Sequence, residues 1–375
     1  ASLDPTPAAL RRRFAGDFAA RPAVYWSDLL ASAAIGWIAF AASAHLPTVP
    51  ALAVATIALY RAVLFIHELA HLRTGAVPGF RTAWNLVAGF PLGVPSLMYV
   101  GTHTDHHRRS TYGTILDPEY EPIAHWSPAR IVASTFLMPA LPFLIVLRWG
   151  VLAPLGWLVP PLRRLWIRRP SPPVTNARCR RELPRGRQAR RFAFEEAGAA
   201  VAVWLAAGAV ASGLLAPHWL LRWYAVTTAI LVLNHLRTLA AHRYENTGAP
   251  MDVASQLLDT VNLRGVPGLT VLFAPVGLRY HGLHHLLPSL PYHSLGRVHR
   301  GLCAELSADS AYRRTELPRL VDALAELLAA ARRNARRGAS PAAPFAGALN
   351  AERVGGPGAA GWESRGGTGG DAGAR

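Results

Sequence analysis

Long apolar runs alternate along the chain with short polar stretches rich in arginine. A helix that crosses a bilayer needs about 20 mostly apolar residues. Residues 24–46 (VYWSDLLASAAIGWIAFAASAHL) meet that need, and residues 50–66 form a second run that leads directly into HELAH. A second pair covers 194–216 and 218–236, parted by Pro217, since proline stops a helix sharply. Two further apolar regions are interrupted: 83–100 by Gly89, Pro91, Gly93 and Pro95, and 131–160 by Pro139, Pro142, Arg148, Gly150 and Pro154. Broken segments are tolerated at membrane depth only where protein buries them or where they re-enter. The pattern therefore predicts re-entrant or interfacial hairpins there. Near the end, 316–337 sets Leu317, Leu320, Val321, Leu324, Leu327 and Leu328 at helical spacing. Its arginines gather at the C-terminal end, where the helix dipole favours them.

Composition points the same way. Hydrophobic residues make up 51% of the 375 and charged residues only 16%, where a soluble globule carries nearer a quarter. Mean hydropathy is +0.19. The expected fold is all-α: a polytopic membrane helix bundle with a cytoplasmic cap. Net charge is +17, and all 39 basic residues are arginine. Such a balance can mark a nucleic-acid partner, but these arginines lie between apolar runs and line no soluble basic face. Cytoplasmic loops of membrane proteins carry that excess, so nucleic acid is set aside.

The dense arginine stretch 161–193 and the basic N-terminal segment 1–23 are both expected in the cytoplasm. The first span then goes out and the second returns, bringing HELAH to the cytoplasmic face. The pair 194–216 and 218–236 likewise leaves and returns. The membrane domain is expected over 24–310. An amphipathic helix follows over 311–337, and a Gly/Ala/Pro-rich tail over 338–375 is expected to be disordered. The two cysteines, Cys179 and Cys303, lie outside any C-x-x-C, which excludes a disulfide framework and a built-in iron–sulfur or zinc-ribbon module.

Histidine is the unusual residue, at 15. Taken alone, His67, Glu68 and His71 form H-E-x-x-H, the sequence form of a zinc protease, with Glu68 as general base and Asp259 as a conceivable third ligand. Two more clusters change that reading: HTDHH (His103, His106, His107) and HGLHH (His281, His284, His285). Residues three and four apart share a helix face, so the imidazoles of each cluster can converge. His242 follows the last run at the same depth, with His235 seven residues earlier. A zinc site takes three or four protein ligands. Nine histidines exceed one zinc but fit two metals, and a histidine-fed pair with positions open to oxygen points to iron. A protease, a transporter or a metal sensor leaves the repeated H-x2-H-H unexplained.

The three boxes, their order and their place at span ends resemble the membrane fatty acid desaturase superfamily. HTDHHRRSTYGTILDPEY (103–120) and PVGLRYHGLHHLLPSLPYHSLGRVHR (275–300) are similar to bacterial members almost word for word, and RTLAAHRYEN (237–246) resembles the segment supplying that family's isolated histidine. The resemblance covers roughly residues 24–310. It implies two iron ions held by His67, His71, His103, His106, His107, His242, His281, His284 and His285, with O2 as co-substrate. In stearoyl-CoA desaturases an asparagine four residues before the isolated histidine reaches the metal through water. Thr238 stands there in this chain. Asn234, one turn back, His235 or water alone could fill that place. Glu68, Asp105 and Asn234 are the candidate supports around the ligands, and DPEYEP (117–122) is expected to be an acidic turn.

The implied activity is oxidation of an unactivated C–H bond in a lipid or acyl chain held in a narrow apolar tunnel, with Trp84 and Tyr99 as candidate lining. Removing a second hydrogen gives an alkene, so a fatty acid desaturase is expected first. Returning oxygen gives a hydroxylase or ketolase acting on a carotenoid, sterol or other lipid. Electrons are expected from a separate donor such as a ferredoxin, docking on the arginine-rich face. The protein is expected in a bacterial inner membrane.

Overall fold

The computed structural model describes residues 5–168, 176, 179–266 and 268–337. The expected tail 338–375 and part of the arginine-rich stretch lie outside the described residues. The architecture is all-α apart from two short strands. Its main elements are α1 (Pro22–Ala42), α2 (Thr48–His71), α3 (Thr102–His106), α4 (Pro128–Leu158), α5 (Gly186–Ala211), α6 (His218–Leu239), α7 (His281–Leu286), α8 (Tyr292–Glu305) and α9 (Leu320–Arg336). β1 (Asn262–Leu263) pairs in parallel with β2 (Glu316–Leu317).

Among the described residues, α1, α2, α4 and α5 are long and apolar enough to cross a membrane. Their outward faces carry Ile38, Phe136, Leu144, Leu158, Trp204 and Leu205, all exposed. Leaving such a side chain in water instead of burying it costs roughly 1.5–3 kcal/mol, so this many of them on the spanning helices call for lipid. The second helix is the most enclosed: 50% of its apolar stretch is buried, against 17 to 28% in the other three. It packs on α1 at Gly36, where a Cβ would stand 2.5 Å from Leu59 Cγ. Only glycine allows that approach.

Two expectations change. Region 131–160 is no hairpin but a near-continuous helical run, Pro128–Leu158. Its prolines do not break it. Pro139, Pro142 and Pro154 fall at the starts of successive helical segments, where the missing N–H has no partner to lose, and a wide turn at Arg148–Leu152 absorbs the phase change. Conversely, α6 is 22 residues long but is not among those four helices. His218, Arg222, Asn234, His235 and Arg237 interrupt its apolar surface.

Region 83–100 does fold back. Buried Glu195 on α5 fastens it, accepting from Ser96 Oγ and Leu97 N at 2.7 Å each and from Arg81 at 2.8 Å. The N-terminal segment is docked too: Leu10 is buried, and Arg13 and Asp17 pair with Glu305 and Arg297 of α8. The amphipathic helix begins at Leu320, because Leu317 belongs to β2. It buries Leu327, Ala330 and Ala331 against Tyr112, Tyr120 and Tyr244.

Candidate metal centre

Four places in the chain deliver imidazoles to one buried region. His67 and His71 sit one turn apart at the end of α2, which runs unbroken through HELAH. His103 and His106 lie on α3, with His107 at its end. His281, His284 and His285 lie on α7. His242 follows α6 and pairs in an isolated bridge with Thr260. The glycine of HGLHH has a local reason: a Cβ at Gly282 would lie 2.9 Å from Thr260 Oγ1 and 3.0 Å from Asn262 Nδ2. This lets α7 press onto the segment 260–263, whose Thr260 bridges His242.

The nine imidazoles fall into two sets. His67, His71, His103, His107 and His284 bring one ring nitrogen each to within 4.8 Å of one another; His106, His242, His281 and His285 do the same. The sets adjoin, with His107 and His285 ring centres 4.1 Å apart. Within the first, His284 Nε2 is 3.1 Å from Nε2 of both His71 and His107, and His103 and His107 are 3.0 Å apart. Within the second, His281 Nε2 is 2.9 Å from His242 Nε2 and 3.1 Å from His285 Nε2. Metal–nitrogen bonds of about 2.1 Å at octahedral angles put neighbouring ligand nitrogens about 3.0 Å apart.

Charge state fits as well. Burial, helped by neighbouring imidazoles, holds His103, His107, His281, His284 and His285 well below the ordinary imidazole pKa, so these rings are neutral, the form a metal requires. Both ring nitrogens of buried His67 lack a hydrogen-bond partner, as do Nδ1 of His107, His281 and His284. Buried polar atoms left unpaired cost of order 1–3 kcal/mol each; a metal taking the inward nitrogens relieves part of that.

Residues 43–316 match the family model described as fatty acid desaturase. The chain belongs to the fatty acid desaturase family. It is similar to a ceramide hydroxylase of Caulobacter vibrioides (strain NA1000 / CB15N), 40% identical over 313 residues, which is 81% of this chain and 88% of that protein. Family membership makes it an oxidoreductase of the desaturase and hydroxylase kind.

The supports around this desaturase-family centre are not those expected from the boxes. Glu68 does not orient an imidazole by hydrogen bonding. It accepts from the Tyr25 hydroxyl at 2.5 Å and from Tyr292 N at 3.2 Å, and its nearest approach to His67 Nδ1 is 3.9 Å. It ties α1, α2 and α8 together. Asp105 is partly exposed and pairs with Arg108 at 3.1 Å. Asn234 accepts from Arg237 at 3.0 Å, and Thr238 Oγ1 accepts from the same guanidinium at 2.9 Å. His235 meets Ser134 Oγ at 2.8 Å, outside both sets. Trp84 is fully buried, donating to Ala62 O at 2.7 Å, so it packs α2 and lines no tunnel.

The carboxylates that do hold the rings come from elsewhere. Asp117 accepts from His106 Nδ1 at 2.9 Å and is itself fixed by Gly113 N and Glu119 N. Glu119 lies 2.9 Å from His103 Nδ1, where the Tyr99 hydroxyl also sits at 2.8 Å. Asp259 stands 3.4 Å from His242 Nδ1, bridged by Tyr112, whose hydroxyl is 2.8 Å from that nitrogen and 2.7 Å from the carboxylate. DPEYEP is therefore more than an acidic turn. Its D-x-E spacing, eleven residues beyond a box histidine, was the available signal. Asp259 had none, because only the path of the chain brings it to His242. Burial pushes Glu119 up to about 7. Burial opposes a charged His106, yet Asp117, together with Glu119 and Asp259, outweighs it and the pKa rises.

Arg237 is the other residue that sequence patterns left unmarked. Its Nε is buried without a partner, and its charge acts on Tyr60, His67, Tyr99, Glu119 and His281. A guanidinium is thus within electrostatic reach of the imidazole centre.

Proposed function

We propose that this protein is an O2-dependent di-iron hydroxylase of a ceramide-type lipid. The observation carrying the reading is the pair of buried imidazole sets in a chain 40% identical to a ceramide hydroxylase across most of both proteins. All-nitrogen donors with carboxylates behind them suit iron, whose pair would reduce O2 and oxidise an unactivated C–H bond. His67, His71, His103, His107 and His284 would hold one ion, and His106, His242, His281 and His285 the other. Glu119, Asp117 and Asp259, with Tyr99 and Tyr112, keep the Nδ1 sides engaged, so that Nε2 of each backed ring faces inward. The contacts around Glu68 tie α1, α2 and α8 together beside His67.

Arg237 favours hydroxylation of a polar lipid over desaturation of a bare chain. A half-buried guanidinium whose Nε is buried without a partner has no use for hydrocarbon. It can donate to an amide carbonyl or hydroxyl beside the reacting carbon and fix which methylene meets the metals. The arginine-rich face supports a cytoplasmic position for this end of the molecule and an acidic electron donor such as a ferredoxin.

The test is expression in a ceramide-producing host followed by lipid mass spectrometry and metal analysis. Ceramides gaining one oxygen, with about two irons per chain, are expected. Lipids losing two hydrogens would put the desaturase reading first. One zinc with peptidase activity would overturn both.

A further inference from the structure

A third group of metal-binding side chains stands apart from the imidazole centre. His299 and Cys303 lie one turn apart on one face of α8, and Glu316 faces them from β2. Cys303 Sγ is 3.6 Å from His299 Nε2 and 3.4 Å from Glu316 Oε1, and His299 Nε2 is 3.5 Å from that same oxygen. A tetrahedral zinc with bonds of about 2.3 Å to sulfur and about 2.0–2.1 Å to nitrogen and oxygen sets its ligand atoms about 3.3–3.6 Å apart. The three edges of this triangle match that spacing.

The surroundings prepare each group for the same task. The Tyr312 hydroxyl lies 2.7 Å from His299 Nδ1, which leaves Nε2 for a metal, as a second partner does for metal-bound imidazoles; Cys303 Sγ lies beside the ring, 3.9 Å from Nδ1, so the imidazole turns to bring Nε2 onto an ion. Arg313 donates to Glu316 Oε2 at 2.6 Å and to Cys303 O at 2.7 Å. It fixes the carboxylate by its outer oxygen and leaves Oε1 facing Cys303 and His299. The side chains of His299 and Glu316 are nearly buried and Cys303 is half-buried, which gives a shielded site.

We propose that His299, Cys303 and Glu316 form a separate site for one divalent zinc-like ion, with solvent as fourth ligand. Binding releases the thiol proton to solvent and involves no redox change. A thiolate and a carboxylate neutralise the ion. The ion would clip β2 to α8 across the turn 306–315, and so brace β1, which positions the segment under His281. The competing account is a hydrogen-bonded cluster in which the Cys303 thiol donates to Glu316.

Cobalt separates the two accounts, because the imidazole centre contains no sulfur. The full-length protein in detergent is loaded with Co2+ and its spectrum recorded in the near ultraviolet. A thiolate-to-cobalt band that disappears in Cys303→Ser and shrinks in Glu316→Gln supports the site. Alkylation of wild-type protein gives a second measurement that needs no variant. Zn2+ should slow labelling of Cys303 at least tenfold and leave Cys179 unchanged, and chelation should restore it. No sulfur band and no zinc protection of Cys303 would overturn the proposal.

Discussion

The two imidazole sets are built on different terms. In the four-membered set, His106 and His242 have Nδ1 engaged, by Asp117 directly and by Tyr112 in front of Asp259. In the five-membered set only His103 has a carboxylate, Glu119, while His67, His107 and His284 have bare buried Nδ1 atoms. Two of the four rings in the first set are thus fixed by hydrogen bonds, with His281 Nδ1 left bare, against one of the five in the second. Hydrogen bonds to the far nitrogen fix ring orientation and raise ligand basicity. The four-membered set should therefore hold its metal through few but stiff ligands. The five-membered set does so through number.

Removing a central ring is the most severe test. His284→Ala in one set and His281→Ala in the other should each cut turnover at least ~100-fold and lower metal content, measured as product per chain and by metal analysis. A variant retaining full metal would show that its set is not a metal site. Next in size are the supports. Asp117→Asn should cost roughly 10–100-fold in metal affinity or activity, and Glu119→Gln clearly less, because four other rings share its set. Titrating the apo-protein with Fe2+ ranks them, and equal losses would erase the distinction drawn here.

Arg237→Leu comes third. Losing a hydrogen bond from a charged donor is worth roughly 1.5–3 kcal/mol, which should emerge as a raised KM for a polar lipid with metal content unchanged. Gly282→Ala follows: the added methyl meets Thr260 and Asn262 and should cost about 1–3 kcal/mol of stability, seen as a lower Tm. Asp105→Asn should be almost silent, within about twofold in activity, since a partly exposed pair with Arg108 is worth roughly 0–1 kcal/mol. A large effect there would return Asp105 to the site.

The all-α class and the convergence of the histidines were legible because both are written in local periodicity. Apolar runs of helix length mark helices, and H-x3-H or H-x2-H-H sets rings on one helix face. Region 131–160 was misjudged for an equally local reason. Proline counts as a breaker until the structure puts each one at a segment start. Glu68 and Asp105 misled because neighbours in sequence are not neighbours on a helix face. Glu68 follows His67 but points about 100° around the helix, toward Tyr25 and Tyr292.

The sequence by itself determined that the imidazoles of each box would share a helix face, since spacing and periodicity are properties of single segments. Only the tertiary structure decided how they divide. HTDHH sends His103 and His107 to one set and His106 to the other, because three rings on one short turn diverge. Which carboxylate backs which ring, and the placing of Arg237 within electrostatic reach of them, were settled the same way. Asp259 reaches His242 across 17 residues and Glu119 reaches His103 across 16, distances over which no residue pattern constrains direction.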